Sequence, residues 1–104
     1  MHRKLLELLI NFEWDKADSE KSYSKHNVHY KESEEVFIND NLLMVLDIAH
    51  SQSEERHYVF GKTNGQRKLV IAFTVMKDKI RVIMARDMSK KERIWYEKEI
   101  KKNS

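Results

Sequence analysis

The sequence predicts an α+β domain built on an antiparallel sheet, and three observations carry that reading. Apolar stretches with strand character crowd into residues 42–48, 56–75 and 80–86. An Asn64-Gly65 pair divides the longest of them, the strongest short hairpin signal in the chain. Helical patterns precede and follow this run of strands instead of alternating with it, which separates α from β.

The elements follow in order. "LINFEWD" alternates Ile10, Phe12 and Trp14 against Asn11, Glu13 and Asp15, a short strand. Leu5, Leu8, Leu9 and Phe12 also fit helical spacing, so the first ten residues stay open. Asp15 suits the cap of a polar helix running to about Lys25, and Asn27 suits the left-handed residue that ends it. A second short helix places Tyr30, Ser33, Val36 and Phe37 on one face, and "NDN" breaks it at residues 39–41. "LLMVLDI", the two strands around Asn64-Gly65, and "IRVIMAR" then make a four-strand meander. Ser89-Lys90-Lys91-Glu92 is a capping box, opening a last helix that carries Ile94, Trp95, Tyr96 and Ile100.

Composition bounds the class. A chain of 104 residues, 40% hydrophobic and 36% charged, reads as one soluble, highly charged domain. With no cysteine there is neither a disulfide nor a thiolate metal site. No apolar run reaches the roughly 18 residues of a membrane span, and "MHRKLLELLIN" lacks a signal-peptide cleavage site, so a cytoplasmic protein is expected. Without proline, and with only Gly61 and Gly65, long flexible linkers are excluded. The net charge of +3 is unevenly spread: residues 1–50 carry −4 and residues 51–104 carry +7. A basic half of this size suits either a polyanion partner or an ordinary solvated surface.

Known cofactor and nucleophile motifs are missing: no glycine-rich nucleotide loop, nucleophile elbow or metalloprotease helix occurs. His26 and His29 lie three apart at a helix end without further ligands nearby, so no metal site is expected. Arginine inside "IRVIMAR" raises a sharper question, because a guanidinium is rarely buried without a partner. Either an internal carboxylate pairs it, or it serves an incoming anion.

Several pieces, in order, carry a resemblance. "FEWD" (12–15), "KHNV" (25–28), "EVF" (35–37) and "D-x-x-HS-x-x-EER" (47–56) are followed by "G-x-T" (61–63) and "FT" (73–74). "IR-x-I-x-AR" (80–86) and "ER-x-x-YE" (92–97) complete the set. Together they resemble the BrnT family of bacterial toxins. The resemblance implies a RelE-like α+β fold: an antiparallel four-strand meander, two N-terminal helices and a C-terminal helix packed on the sheet. Residues 1–11 would then be an extension ahead of a single toxin domain over 12–104. It also implies a ribonuclease that inhibits translation, without metal or cofactor, and a BrnA-like antitoxin with a ribbon-helix-helix domain. The complex would hold two copies of each and touch promoter DNA only through the antitoxin. Met76 stands where many relatives carry arginine, and Met84 where serine or threonine is usual. A catalytically weakened RNA-binding or regulatory protein is therefore the alternative.

Metal-free RNA cleavage needs a base for the 2′-hydroxyl, cations for the developing phosphorane charge and an acid for the leaving oxygen. The candidates are Arg86 and Arg81 as cations, His50 or Glu54 as base or acid, and Tyr96 as a stacking or hydrogen-bonding group. Lys25, His26, Arg56 and Arg93 are candidate RNA contacts. Four of them have a structural reading beside the functional one. Arg81 would pair with Glu54 or Glu55, and Glu54 would form a surface pair with Arg56. His50 would bond to a loop backbone group, and Tyr96 would be core with its hydroxyl at the edge.

Overall fold

A computed structural model describes residues 11–13, 23, 25–50, 55–76 and 79–102. It contains β1 (Asn11–Glu13), α1 (Tyr30–Ile38), β2 (Leu43–Leu46), β3 (Arg56–Lys62), β4 (Lys68–Met76), β5 (Lys79–Asp87) and α2 (Lys90–Lys102). A 3-10 turn at Ile48–His50 follows β2. Strands β2 to β5 form the expected antiparallel meander. The sheet nonetheless has five strands, in the order β1-β5-β4-β3-β2, and β1 corrects the purely antiparallel expectation. It runs parallel to β5, with Phe12 opposite Ile80. No hairpin sets the direction of β1, because most of the domain lies between it and β5.

The expected pair of N-terminal helices is described in part. Tyr23, Lys25 and His26 have helical backbone, and the Asn27 N–H donates to the Tyr23 carbonyl at 2.9 Å. Residues 14–22 and 24, over which the rest of that helix is expected, lie outside the described residues, as do residues 1–10. Asn27 takes the left-handed conformation expected of it, at φ 54°. Helix α1 then opens on a capping box that the sequence concealed. The Lys31 N–H donates to His29 Nδ1, and the His29 N–H donates to the Glu32 carboxylate. Ser33, Val36 and Phe37 are buried as expected, whereas Tyr30 is 42% exposed, its ring 4.5 Å from that of His29.

Two cores lie on opposite faces of the sheet. Against α1, Val36 and Phe37 pack with Val59, Leu69, Ile71, Phe73, Val82 and Ala85. Phe37 meets Phe73 edge to face at 5.0 Å, a favoured aromatic geometry. Against α2, Tyr96 packs with Phe60, Val70 and Met88. The hairpin expected at Asn64-Gly65 joins β3 and β4 through a longer turn than two residues. Thr63 and Arg67 close it with a 2.9 Å backbone bond, and the left-handed residue is Gln66 at φ 70°. A type I turn followed by one left-handed residue suits strand twist as well as a primed turn does.

Gly61 admits α1 to the sheet. A Cβ there would lie 2.7 Å from Leu42 Cδ2 and 2.8 Å from Val36 Cγ1, closer than carbon atoms tolerate. Gly61→Ala is expected to destabilise the fold by about 1–3 kcal/mol through overpacking, read as a lower urea midpoint. An unchanged midpoint would mean that the helix can retreat freely.

Candidate functional site

Strand registers sort the polar residues into rows on the face that carries α2. Directly opposed residues of neighbouring strands share a face, and Phe73 on the α1 side fixes the alternation. Arg56 lies opposite Thr74, and Thr74 opposite Arg81, so one row reads Arg56, Thr74, Arg81. The next reads Tyr58, Ala72, Met84, and the third Phe60, Val70, Arg86. Successive rows are about 7 Å apart, two residues along a strand. An irregularity beside Ala72 and Phe73 lets β5 carry one extra residue, Ile83, between the Arg81 and Met84 rows.

The sequence left open whether Arg86 meets an internal carboxylate, naming Glu54 or Glu55 as structural partners for arginine. Arg86 has a different one. Its Nη1 donates to Glu92 Oε1 at 2.7 Å and its Nη2 to Oε2 at 2.9 Å, a two-pronged pair. Glu92 also accepts the Ser89 N–H at 2.7 Å, completing the capping box read from the sequence. Hydrogen bonds from Arg86, opposed by burial, hold the Glu92 carboxyl at about 2 against the ordinary 4.5. The Arg86 guanidinium is raised by the same bonds.

Arg56 lies beside Asp47, with Nε 3.6 Å from Oδ2, and not beside Glu54. Asp47 is 8% exposed and is fixed by its own N–H, which donates to the Arg56 carbonyl at 2.7 Å. Tyr58 belongs to the same group. Burial, and then its hydrogen bond with Asp47, push its phenol above the ordinary value, against the pull of Arg56 and Arg86. Sequence reasoning passed over Asp47 and Tyr58 as site residues. The available signal was local, since an acidic residue closing an apolar strand stands out once the next strand begins with arginine.

The other candidates scatter. Tyr96 is 1% exposed and its hydroxyl donates to the Asn41 carbonyl at 2.6 Å, a placement that matches its structural reading as a core residue and leaves no open ring face for stacking on a base. Burial pushes its phenol up to about 12. Lys25 is exposed, and the His26 carbonyl accepts from Arg67 at the Asp87 end of β5, remote from the Arg81 end. Arg93 is at that end too, donating to the Met88 carbonyl at 3.0 Å. The backbone of His50 ends the turn after Asp47, near the start of β3, but its side chain lies outside what is described. Glu54 lies outside the described residues, and Glu55 faces His57 at 3.4 Å. Among the described residues, no group of three metal-ligating side chains forms and no helix is long and apolar enough to cross a membrane.

The Arg86–Glu92 pair has a measurable signature. Because the folded Glu92 value lies below the unfolded one, its stabilisation is fully present above about pH 4.5 and is lost as pH falls toward 2. Glu92→Gln is expected to remove about 1–2 kcal/mol at neutral pH, allowing for part exposure, and to flatten the acid limb of the stability curve. Urea midpoints across that pH range check it, and an unaltered acid limb would assign the acid loss to other carboxylates.

Three comparisons bear on identity. No curated protein matches the sequence. The fold is similar to the 1.1 Å crystal structure of the Brucella abortus ribonuclease toxin BrnT, with a TM-score of 0.59 and 17% identity. The match covers 77% of this chain and 97% of that one. A family model described as the BrnT ribonuclease toxin of type II toxin–antitoxin systems matches residues 14–92. That span holds the Arg56, Thr74 and Arg81 row and the Arg86–Glu92 pair together, and the chain belongs to the BrnT family of ribonuclease toxins.

Proposed function

We propose that this toxin is a metal-independent endoribonuclease that arrests translation by cleaving RNA on the α2 face of its sheet. The observation that carries the reading is the row of Arg56 and Arg81 across β4, with Arg86 two rows away on the same face. Cations repeated at strand spacing form a track for a phosphate backbone, and their charge would stabilise the phosphorane as it develops. Tyr58 lies between the two arginine rows, where an aromatic ring would stack on a base. His50, at the Arg56 end of the sheet, is the base or acid in this reading, with Glu54 as its rival. Lys25, His26 and Arg93 would meet RNA beyond the cleaved bond and steer it.

Arg86 supports a second reading. Its pairing with Glu92 commits one cation to the fold, as a weakened RNA-binding or regulatory protein would tolerate. The two readings part on products, since a binding module retains RNA affinity and yields no fragments. The partner in either case is an antitoxin, BrnA-like with a ribbon-helix-helix domain and joined as two copies of each. An apolar groove lined by Val45, Tyr58, Phe60 and Trp95 adjoins the basic rows, so one antitoxin segment would cover both.

Expression without antitoxin is expected to arrest growth with fragmented transcripts, and purified protein to cleave labelled RNA equally well with EDTA. Arg81→Ala and Arg56→Ala should each slow cleavage by roughly 10²–10³-fold, the effect of removing one preorganised donor to an oxyanion. Intact transcripts in arrested cells would overturn the ribonuclease reading.

A further inference from the structure

Thr74 occupies the centre of the basic row, and its hydroxyl makes no hydrogen bond among the described residues. The residue is 5% exposed, with Arg56 opposite it on one flanking strand and Arg81 on the other. Its Oγ1 is out of solvent. Valine would serve strand geometry and packing equally well, since both side chains are β-branched. A buried hydroxyl without a partner lowers stability, so its presence calls for another explanation.

The neighbours suggest one. Two guanidinium groups and a hydroxyl side by side offer hydrogen-bond donors and two positive charges, a set complementary to a tetrahedral oxyanion. Asp47, 3.6 Å from Arg56, braces that arginine from the β2 side. Phe73, stacked on His57 with centroids 5.5 Å apart in the opposite core, holds β4 so that Thr74 must face the arginines.

We propose that Thr74 is the third donor of a phosphodiester cradle, its O–H donating to a non-bridging oxygen of the phosphate that Arg56 and Arg81 hold. The proposal rests on the ribonuclease reading for its substrate, but the cradle itself is a binding site and is testable without cleavage. An anion between the arginines draws both guanidinium groups inward and brings the hydroxyl its missing partner. The cost of burying it is thereby recovered when RNA binds, which places an unfavourable group of the free protein in the service of the complex.

The experiment uses full-length wild-type protein, Thr74→Val and Thr74→Ser. Affinity is measured for an RNA oligonucleotide with 2′-O-methyl groups, which cannot be cleaved, alongside cleavage of the unmodified RNA and thermal melting. Thr74→Val is expected to melt at or above the wild-type temperature while binding the oligonucleotide roughly tenfold more weakly, the effect of one lost hydrogen bond to a charged group. Its cleavage should fall by at least that factor, and Thr74→Ser should restore most of both. Wild-type affinity in Thr74→Val would overturn the cradle. So would a lowered melting temperature that serine does not rescue, since that marks a structural hydroxyl. If wild-type protein binds the oligonucleotide but cleaves no RNA, and Thr74→Val still weakens binding, the ribonuclease reading fails while the cradle stands.

Discussion

Helices α1 and α2 are each pinned to the sheet by one arginine reaching the glutamate that caps the helix, and much of the described structure is arranged around those two pins. In α1, Glu32 closes the capping box with the His29 N–H and takes Arg67 Nη1 at 3.2 Å. In α2, Glu92 closes the box with Ser89 and takes Arg86. A carboxylate at a helix N-terminus is already favoured by the exposed N–H groups and the dipole. Adding a guanidinium from the sheet turns a local cap into a tertiary contact. The arrangement fixes where each helix begins, and hence which strand residues it covers.

Arg67 carries the larger share. It grips Asp87 with Nε at 2.7 Å and Nη2 at 2.9 Å, while its Nη groups also reach the carbonyls of Asn27 and His26. One side chain thus ties the β3–β4 turn, the end of β5, the start of α1 and the left-handed residue before it. Hydrogen bonding to Asp87 raises the guanidinium well above its ordinary value, and the same contact holds the Asp87 carboxyl below its own. Only arginine has enough donors in one plane for this; lysine would keep the charge and lose most of the contacts.

The two pins also divide the labour of the cations. Arg67 and Arg86 grip the glutamates that cap α1 and α2, whereas Arg56, beside Asp47, and Arg81 flank a buried hydroxyl on the α2 face. Basic charge that looked uniform along residues 51–104 is therefore of two kinds. Which carboxylate folds back onto the sheet decides each pairing: Arg86 takes Glu92 and not its neighbour Asp87, and Arg56 lies beside Asp47.

Local order was legible in the sequence. Strand alternation, the Ser89–Glu92 box, the left-handed Asn27 and the inward face of Ser33, Val36 and Phe37 all rest on contacts within a few residues, where side-chain period and backbone preference decide. Arg81 and Arg86 also stood out, because charge inside an apolar run needs a reason. Long-range pairing decided the remainder. The parallel β1 edge, the histidine cap of α1, the burial of Tyr96 and the choice of Glu92 for Arg86 each depend on partners brought together by strand register. Thr74 is the plainest case: as a sequence residue it is an ordinary strand former, and only the pairing of β3, β4 and β5 sets its hydroxyl between two arginines.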